Sequence, residues 1–161
     1  GTMVSKNSIR IKTVGLLDEV NARVGHAIVK SPNKNISESL KGIQNNLFNI
    51  GGELALGEKA QPVFSDENVK EIELSIEKLN NQLPPLADFI LPGGDEFNSR
   101  LHLARTATRQ TEISIFSLKE NEVVRDSLCV YMNRLSDYFF VLARCHSVEN
   151  KIPEDVWKHK K

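Results

Sequence analysis

The chain has 161 residues and a formal net charge of zero, from 21 basic and 21 acidic side chains. This length is enough for one domain with a real core, and the balanced charge gives no sign of the basic surface that nucleic-acid binding requires. No apolar run approaches the roughly 18 residues that a membrane span needs, and nothing resembles a signal peptide, so we expect a single domain over residues 1–161 that binds neither nucleic acid nor a membrane.

Helical spacing of apolar residues dominates the chain and predicts five helices. They are expected from about 9 to 30, from 35 or 37 to 56, from 65 to 83, from 95 to 118 and from 121 to 148. Asn35 or Ser37 is expected to cap the second helix and Ser65 the third, and Pro84-Pro85 ends the third helix. Short connections favour antiparallel neighbours, so the predicted fold is an all-α, five-helix antiparallel bundle.

Two segments outside the helices stand out. The connection over residues 84–95 contains Phe89 followed by a Pro-Gly-Gly turn, in which proline fixes one dihedral angle and the glycines allow positive φ. Such a connection is either a plain loop with apolar plugs or a tight backbone that holds an aromatic ring over a ligand. The tail 149–161 is polar after Pro153 apart from Trp157, and we expect it to dock loosely or fray.

The cysteine pattern argues against disulfides and metal binding. Cys129 and Cys145 lie sixteen residues apart in one apolar segment, which on a helix is about 24 Å at 1.5 Å per residue and too far for a disulfide. The sequence has no CxxC and no His/Cys cluster with metal-binding spacing. We interpret both cysteines as core residues in a reducing, cytoplasmic setting.

Several polar residues fall where a plain bundle would not need them. Arg105, Arg109 and Glu112 are spaced i, i+4 and i+7 on the fourth helix and so share one face. Asn133 and Arg134 lie inside the most apolar run of the fifth helix, so part of this polar set should lie near the apolar seams of the bundle. Ordinary surface pairing explains any one of these residues, but the set together suits a phosphate chain, because guanidinium groups bind phosphate oxygens in a bidentate manner.

Five segments in order resemble the motifs of the PduO-type ATP:cob(I)alamin adenosyltransferases. They are VGLLDEVNARVG, LFNIGGELA, FILPGG, LHLARTATRQTE and YMNRLSDYFFVLAR, and the resemblance runs from about Val4 to Arg144. It implies a ferritin-like five-helix bundle that forms a homotrimer with active sites between subunits. The implied reaction transfers the 5′-deoxyadenosyl group of ATP to the cobalt of reduced cobalamin, with Mg²⁺ on the nucleotide, and yields adenosylcobalamin and triphosphate.

The resemblance implies roles for three residues near the corrin and the subunit boundary. Phe89 matches the phenylalanine that packs beneath the corrin and displaces the lower axial ligand of cobalt, which makes the cobalt easier to reduce to Co(I). Arg105 matches an arginine that forms an intersubunit salt bridge with the acid matching Asp18. Phe89, Arg105 and Arg109 are the residues expected to carry catalysis.

Four residues match positions at the nucleotide. Arg109 is expected on phosphate, and Glu112 towards the metal or the ribose. Asn133 matches an asparagine at the nucleotide, and Lys6 lies where the family has a lysine near ATP.

The N-terminus leaves alternatives open. The family's glycine-rich nucleotide loop, of the type TKTGDxGxT, does not occur in these 161 residues, and we expect that it was omitted from this chain rather than lost. A chain that lacks it would be a non-catalytic cobalamin-binding or delivery protein. A third reading is a helical interaction module whose polar residues only set the register between subunits. A reductase and adenosylcobalamin-dependent enzymes remain open as protein partners.

Overall fold

The computed structural model describes residues 8–158, which form five α-helices. The helices are α1 (Ile9–Ile28), α2 (Lys34–Leu56), α3 (Asp66–Asn80), α4 (Glu96–Lys119) and α5 (Asp126–Glu149), with a 3-10 turn over Gly57–Lys59 after α2. Residues 8–158 contain no extended strand, only an isolated antiparallel bridge between Ile90 and Val156. The predicted all-α fold is confirmed. None of the helices described is long and apolar enough to cross a membrane.

The helices pack so that α4 and α5 form the middle of the bundle. Helix α4 packs against α1 and α5, α2 packs on the other side of α1, and α3 packs on α5. Side chains from all five helices form one buried cluster. Its largest members with almost no exposed surface include Leu40, Leu47, Phe97, Leu101, Ile115, Leu128, Tyr131 and Phe139.

Consecutive helices run antiparallel, as predicted. One pair of helices that are neighbours in space but not consecutive in the chain, α3 and α5, runs parallel. Helices α4 and α5 are antiparallel, because Asn98 contacts Ala143 whereas Glu112 contacts Asn133. Helices α3 and α5 are parallel, because contacts of α3 to α5 advance in the same direction along both helices. This follows from an up-down-up-down-up path, which places two helices of the same direction side by side.

The structure corrects the predicted cap of α2 and confirms that of α3. Neither Asn35 nor Ser37 caps α2; the cap is Asn33, whose side chain accepts a hydrogen bond from the amide of Ile36 at 3.0 Å. Ser65 does cap α3, with a reciprocal bond from its own amide to the side chain of Asn68.

Helix α5 begins at Asp126, about five residues later than predicted. Arg125 holds the connection before it in an extended conformation. Its guanidinium donates to both carboxylate oxygens of Glu53, at 2.7 and 2.6 Å, and to the carbonyl of Phe64. A long-range ion pair therefore overrides the helical pattern of this segment.

Of the two alternatives expected for the tail, docking and fraying, the structure shows docking. Residues 153–158 lie along the loop that carries Phe89, through backbone hydrogen bonds from Leu91 to Asp155 and from Trp157 to Phe89, each 2.7 Å long. Cys129 and Cys145 are both free and buried on α5, which confirms their interpretation as core residues.

Candidate active site

Side chains of α4 and α5 meet on one face of the bundle. The side-chain amide of Asn133 donates to Oε1 of Glu112 at 3.0 Å, so two of the predicted site residues are in direct contact across the helix pair. Arg109 lies one turn before Glu112 on the same helical face. It is exposed and has no ion-pair partner among residues 8–158. The face therefore presents a free cation beside a carboxylate whose second oxygen, Oε2, takes no part in this contact.

Arg105 is fixed by a histidine that sequence analysis did not single out. The Nε of Arg105 donates to Nδ1 of His102 at 3.3 Å, and His102 is only 6 % exposed. Burial, and then the charge of Arg105, lower the pKa of His102 to about 4. The imidazole is therefore neutral near pH 7, with Nδ1 free to accept a hydrogen bond.

The positive charges on α4 are close enough to influence one another. Burial, followed by the charge of Arg109, lowers the pKa of Arg105.

Asp18 is exposed on α1 and has no ion-pair partner within residues 8–158. The side chains predicted to pair between subunits thus do not pair within one chain.

Phe89 stands out from its loop rather than plugging it. Its side chain is 76 % exposed, and its ring meets that of Trp157 edge-on, with centroids 6.3 Å apart. At the end of the loop, Gly94 has φ of 103°, and a Cβ there would lie 2.9 Å from Cγ of Asn98. Glycine is therefore needed at this position, and the turn leads directly into α4.

The first turn of α4 is anchored to the last turns of α5. Asp95 caps α4 by accepting from the amide of Asn98 at 2.9 Å, and its other oxygen contacts Nε2 of His146 at 2.8 Å. Burial raises the pKa of Asp95, but these hydrogen bonds and the charge of His146 outweigh burial and lower it below its ordinary value. The loop that carries Phe89 thus ends at a fixed point.

Lys6 lies outside the described residues. The apolar neighbours of Arg134 suggested that it would lie near an apolar seam of the bundle, but it does not. Arg134 lies on the surface, where it pairs with Glu73 at 3.1 Å and Asp137 at 3.4 Å. Helix α3 packs close enough to α5 to supply this partner, which the local sequence pattern does not reveal.

Two cavities among the described residues contain none of the predicted site residues. A cavity of about 580 Å³ at the far end of α4, next to Lys119, contains none of them. A smaller cavity of about 50 Å³ beneath the Phe89 loop is lined by His102 and Arg144. Within residues 8–158, no group of three or more His, Cys, Asp or Glu side chains is arranged to hold a metal ion.

Comparison with known proteins identifies the family. The family model for cobalamin adenosyltransferase matches residues 1–146. The chain belongs to the cobalamin adenosyltransferase family. The resemblance read from the sequence motifs is therefore confirmed.

Individual members of this family are similar over most of the chain. The corrinoid adenosyltransferase of Bacillus subtilis is 36 % identical over 149 residues, which cover 89 % of this chain and 77 % of that protein. The corrinoid adenosyltransferase PduO of Citrobacter freundii is 39 % identical over 149 residues, which cover 89 % of this chain but only 44 % of that longer protein.

Solved adenosyltransferases share the fold. A phenylalanine-to-alanine variant of the PduO-type ATP:corrinoid adenosyltransferase from Lactobacillus reuteri, complexed with cobalamin and ATP, superimposes with a TM-score of 0.91 and 31 % identity. The match covers 97 % of this chain and 90 % of that one. An arginine-to-lysine variant complexed with ATP superimposes with a TM-score of 0.90.

The buried histidine beside Arg105 predicts a pH dependence of stability. Its pKa in the folded chain, about 4, lies below the ordinary 6.5, so between these values the unfolded chain binds a proton at His102 that the folded chain does not. The stability contributed by neutral His102 is complete above pH 6.5 and is lost as the pH falls towards 4.

A His102→Asn variant keeps an acceptor oxygen for Arg105 but does not titrate, so it should lose less stability on acidification. Urea unfolding of both proteins at about pH 7 and about pH 4.5 measures this; an equal loss in both proteins would contradict it.

Proposed function

We propose that this chain transfers the 5′-deoxyadenosyl group of ATP to the Co(I) centre of cobalamin, forming adenosylcobalamin and releasing triphosphate. The observation that carries the proposal is the close match, over nearly the whole chain, to an adenosyltransferase complexed with both cobalamin and ATP. The contact between Glu112 and Asn133, beside the exposed Arg109, supports a nucleotide position on this face. A cytoplasmic location and Mg²⁺ on the nucleotide belong to the same proposal.

The chemistry requires positioning and charge stabilisation more than acid–base catalysis. The cobalt supplies an electron pair to the 5′ carbon, the cobalt–carbon bond forms as the carbon–oxygen bond breaks, and triphosphate leaves with the electrons of that bond. Because reduction of the cobalt has already produced the nucleophile, no side chain has to remove a proton. The protein contributes by holding the two substrates together and by stabilising the leaving group.

The described side chains fit this division of work. Arg109 is exposed and has no ion-pair partner among the described residues, so its guanidinium suits the phosphate oxygens of the leaving group. Asn133 holds Glu112 through Oε1, which leaves Oε2 for the metal or the ribose. A single carboxylate suits Mg²⁺, which commonly binds one or two carboxylates together with substrate phosphates. When bound there, the ion would neutralise part of the phosphate charge.

A homotrimer with its sites between subunits is part of the proposal. Ile113 and Phe116 share the helical face of Arg109, yet they are 68 % and 49 % exposed. On α1, exposed Ile11 lies on the same face as Asp18. Large apolar side chains exposed together beside charged groups favour a protein interface. An interface here would cover the open site and allow Asp18 of one copy to meet Arg105 of another.

The substrates also define the protein partners that the reaction needs. A reductase has to supply the electron that forms Co(I), and enzymes that depend on adenosylcobalamin consume the product. We propose both classes as functional neighbours of this chain.

The decisive test of the function is an anaerobic absorbance assay with an Arg109→Ala variant. We expect cobalamin reduced to Co(I) to convert to adenosylcobalamin when the protein and MgATP are added. Loss of a charge-assisted phosphate contact, worth roughly 1.5–3 kcal/mol, should lower kcat/KM for ATP by about 10- to 100-fold in the variant. Arg23→Ala, which removes only a surface pair with Glu19 at 2.7 Å, is the control and should keep normal turnover. Bound cobalamin without any turnover by the unaltered protein would instead indicate a non-catalytic carrier.

The corrin role of Phe89 is tested by Phe89→Ala in the same assay. Removing the ring should slow the reduction-dependent step and leave the KM for ATP nearly unchanged, because no nucleotide contact is lost. Phe48→Ala, which removes a phenylalanine of similar exposure from α2, should leave both the reduction-dependent step and the KM for ATP unchanged. An equal loss of ATP affinity in the Phe89 variant would refute the assignment.

The assembly is tested by Asp18→Asn. We expect the unaltered chain to have the mass of a trimer by light scattering, and the variant to shift towards monomer, because a neutral amide cannot pair with the Arg105 cation of another copy. Glu19→Gln, one residue away and paired with Arg23, is the matched control. A trimer of undiminished stability in the Asp18 variant would remove this pair from the interface.

A further inference from the structure

The loop that carries Phe89 depends on the C-terminal tail for its backbone position. The carbonyl of Phe89 accepts from the amide of Trp157, and the amide of Leu91 donates to the carbonyl of Asp155, both at 2.7 Å. These two bonds flank the bridge between Ile90 and Val156. The tail therefore fixes the backbone on both sides of Ile90 and at Phe89 itself.

The loop has few other attachments at this point. Within the described part of the chain, residues 84–90 form no further backbone–backbone hydrogen bonds beyond those to the tail. The side chains of Leu86, Phe89 and Leu91 are all more than 40 % exposed, so burial does not fix them either. A segment with so few contacts is expected to move unless something else holds it.

One guanidinium holds both the loop and the tail. Arg144, on α5, is only 5 % exposed. Its Nε donates to the carboxylate of Glu154, at 3.2 Å to Oε1, and its Nη2 donates to the carbonyl of Pro84 at 3.4 Å. The same side chain thus contacts the start of the loop and the start of the docked tail.

The chain between Arg144 and Glu154 supports this arrangement. After α5, the amide of Ile152 donates to the carbonyl of Ser147 at 2.9 Å, and Lys151 takes φ of 55°, which turns the chain back. The hydroxyl of Ser147 in turn accepts from the buried amide of Asn98 at the start of α4. The tail is thereby directed onto the loop from a rigid part of the bundle.

We propose that Arg144 and Glu154 are positioning residues for Phe89: their ion pair fixes the tail, and the tail fixes the backbone of the loop. The inference rests on the proposed function, because Phe89 is assigned to the corrin side of that reaction. It adds a pair of residues that act on Phe89 through the tail. Because the tail lies outside the helix packing, the bundle should persist when the pair is broken.

The chain carries a built-in reporter of this arrangement. Trp157 is the only tryptophan in the sequence, and its ring lies against Phe89 while 51 % exposed. Release of the tail would expose it almost fully, so acrylamide quenching of its fluorescence should rise up to about twofold in proportion to accessible surface. This measurement needs no cobalamin and no turnover.

The test compares Glu154→Ala with Glu154→Gln, which keeps an acceptor for Arg144, and with Glu149→Ala, an exposed control at the last residue of α5. In Glu154→Ala we expect higher quenching of Trp157, unchanged helical circular dichroism, a KM for ATP within about twofold of normal, and turnover lowered by roughly 10- to 100-fold through misplacement of Phe89. Glu154→Gln should recover part of both effects, and Glu149→Ala should show neither.

Two outcomes would overturn the inference. Unchanged quenching in Glu154→Ala would mean that the ion pair does not hold the tail. Higher quenching with normal turnover would mean that the tail does not position Phe89. An inactive unaltered protein would instead refute the proposed function and with it the catalytic part of the inference, while the quenching series would still report whether the pair holds the tail. If Glu154→Ala loses its helical circular dichroism, Trp157 quenching and turnover of Glu154→Gln are compared with those of the unaltered protein instead. The same two outcomes would then overturn the inference.

Discussion

The buried side chain of Asn98 sets the alignment of the two central helices. Its amide donates to the carbonyl of Ala143 at 2.7 Å and to the hydroxyl of Ser147 at 2.9 Å. A buried amide that lost these partners would be costly, so sliding α4 along α5 is strongly disfavoured. The same alignment brings Glu112 opposite Asn133, about three to four helical turns away. It also brings the loop before α4 and the tail after α5 to the same end of the bundle.

Most of the fold follows from local patterns in the sequence. The five helices have the predicted order, and the caps Ser65 and Asp95 stand at the predicted starts. The two boundary errors have different origins, one in a long-range ion pair and one in a local cap. The pairing of Arg125 with Glu53 shortens α5 at its start, and Asn33 caps α2 ahead of the expected positions because it already has an extended backbone.

The candidate site could be predicted only in part for a similar reason. The spacing of Arg105, Arg109 and Glu112 places them on one face without knowledge of the fold, but the contact of Glu112 with Asn133 requires the pairing of α4 with α5. His102 was missed because a lone histidine on a helix gives no signal by itself. Its position three residues before Arg105 acquires meaning only once both side chains are known to be partly or fully buried.

The docked tail has a consequence for the order of folding. Leu91 and Asp155 are separated by the whole of α4, the whole of α5 and the connection between them, so their hydrogen bond forms between distant parts of the chain. Closure of so long a segment is entropically expensive until the helices have packed. The bundle can therefore form first, and the ordering of the segment around Phe89 is left to the end. If the tail positions Phe89 as proposed, helix content and catalytic competence are acquired in separate events, and a chain released early from synthesis or from a chaperone is fully helical before its site is assembled.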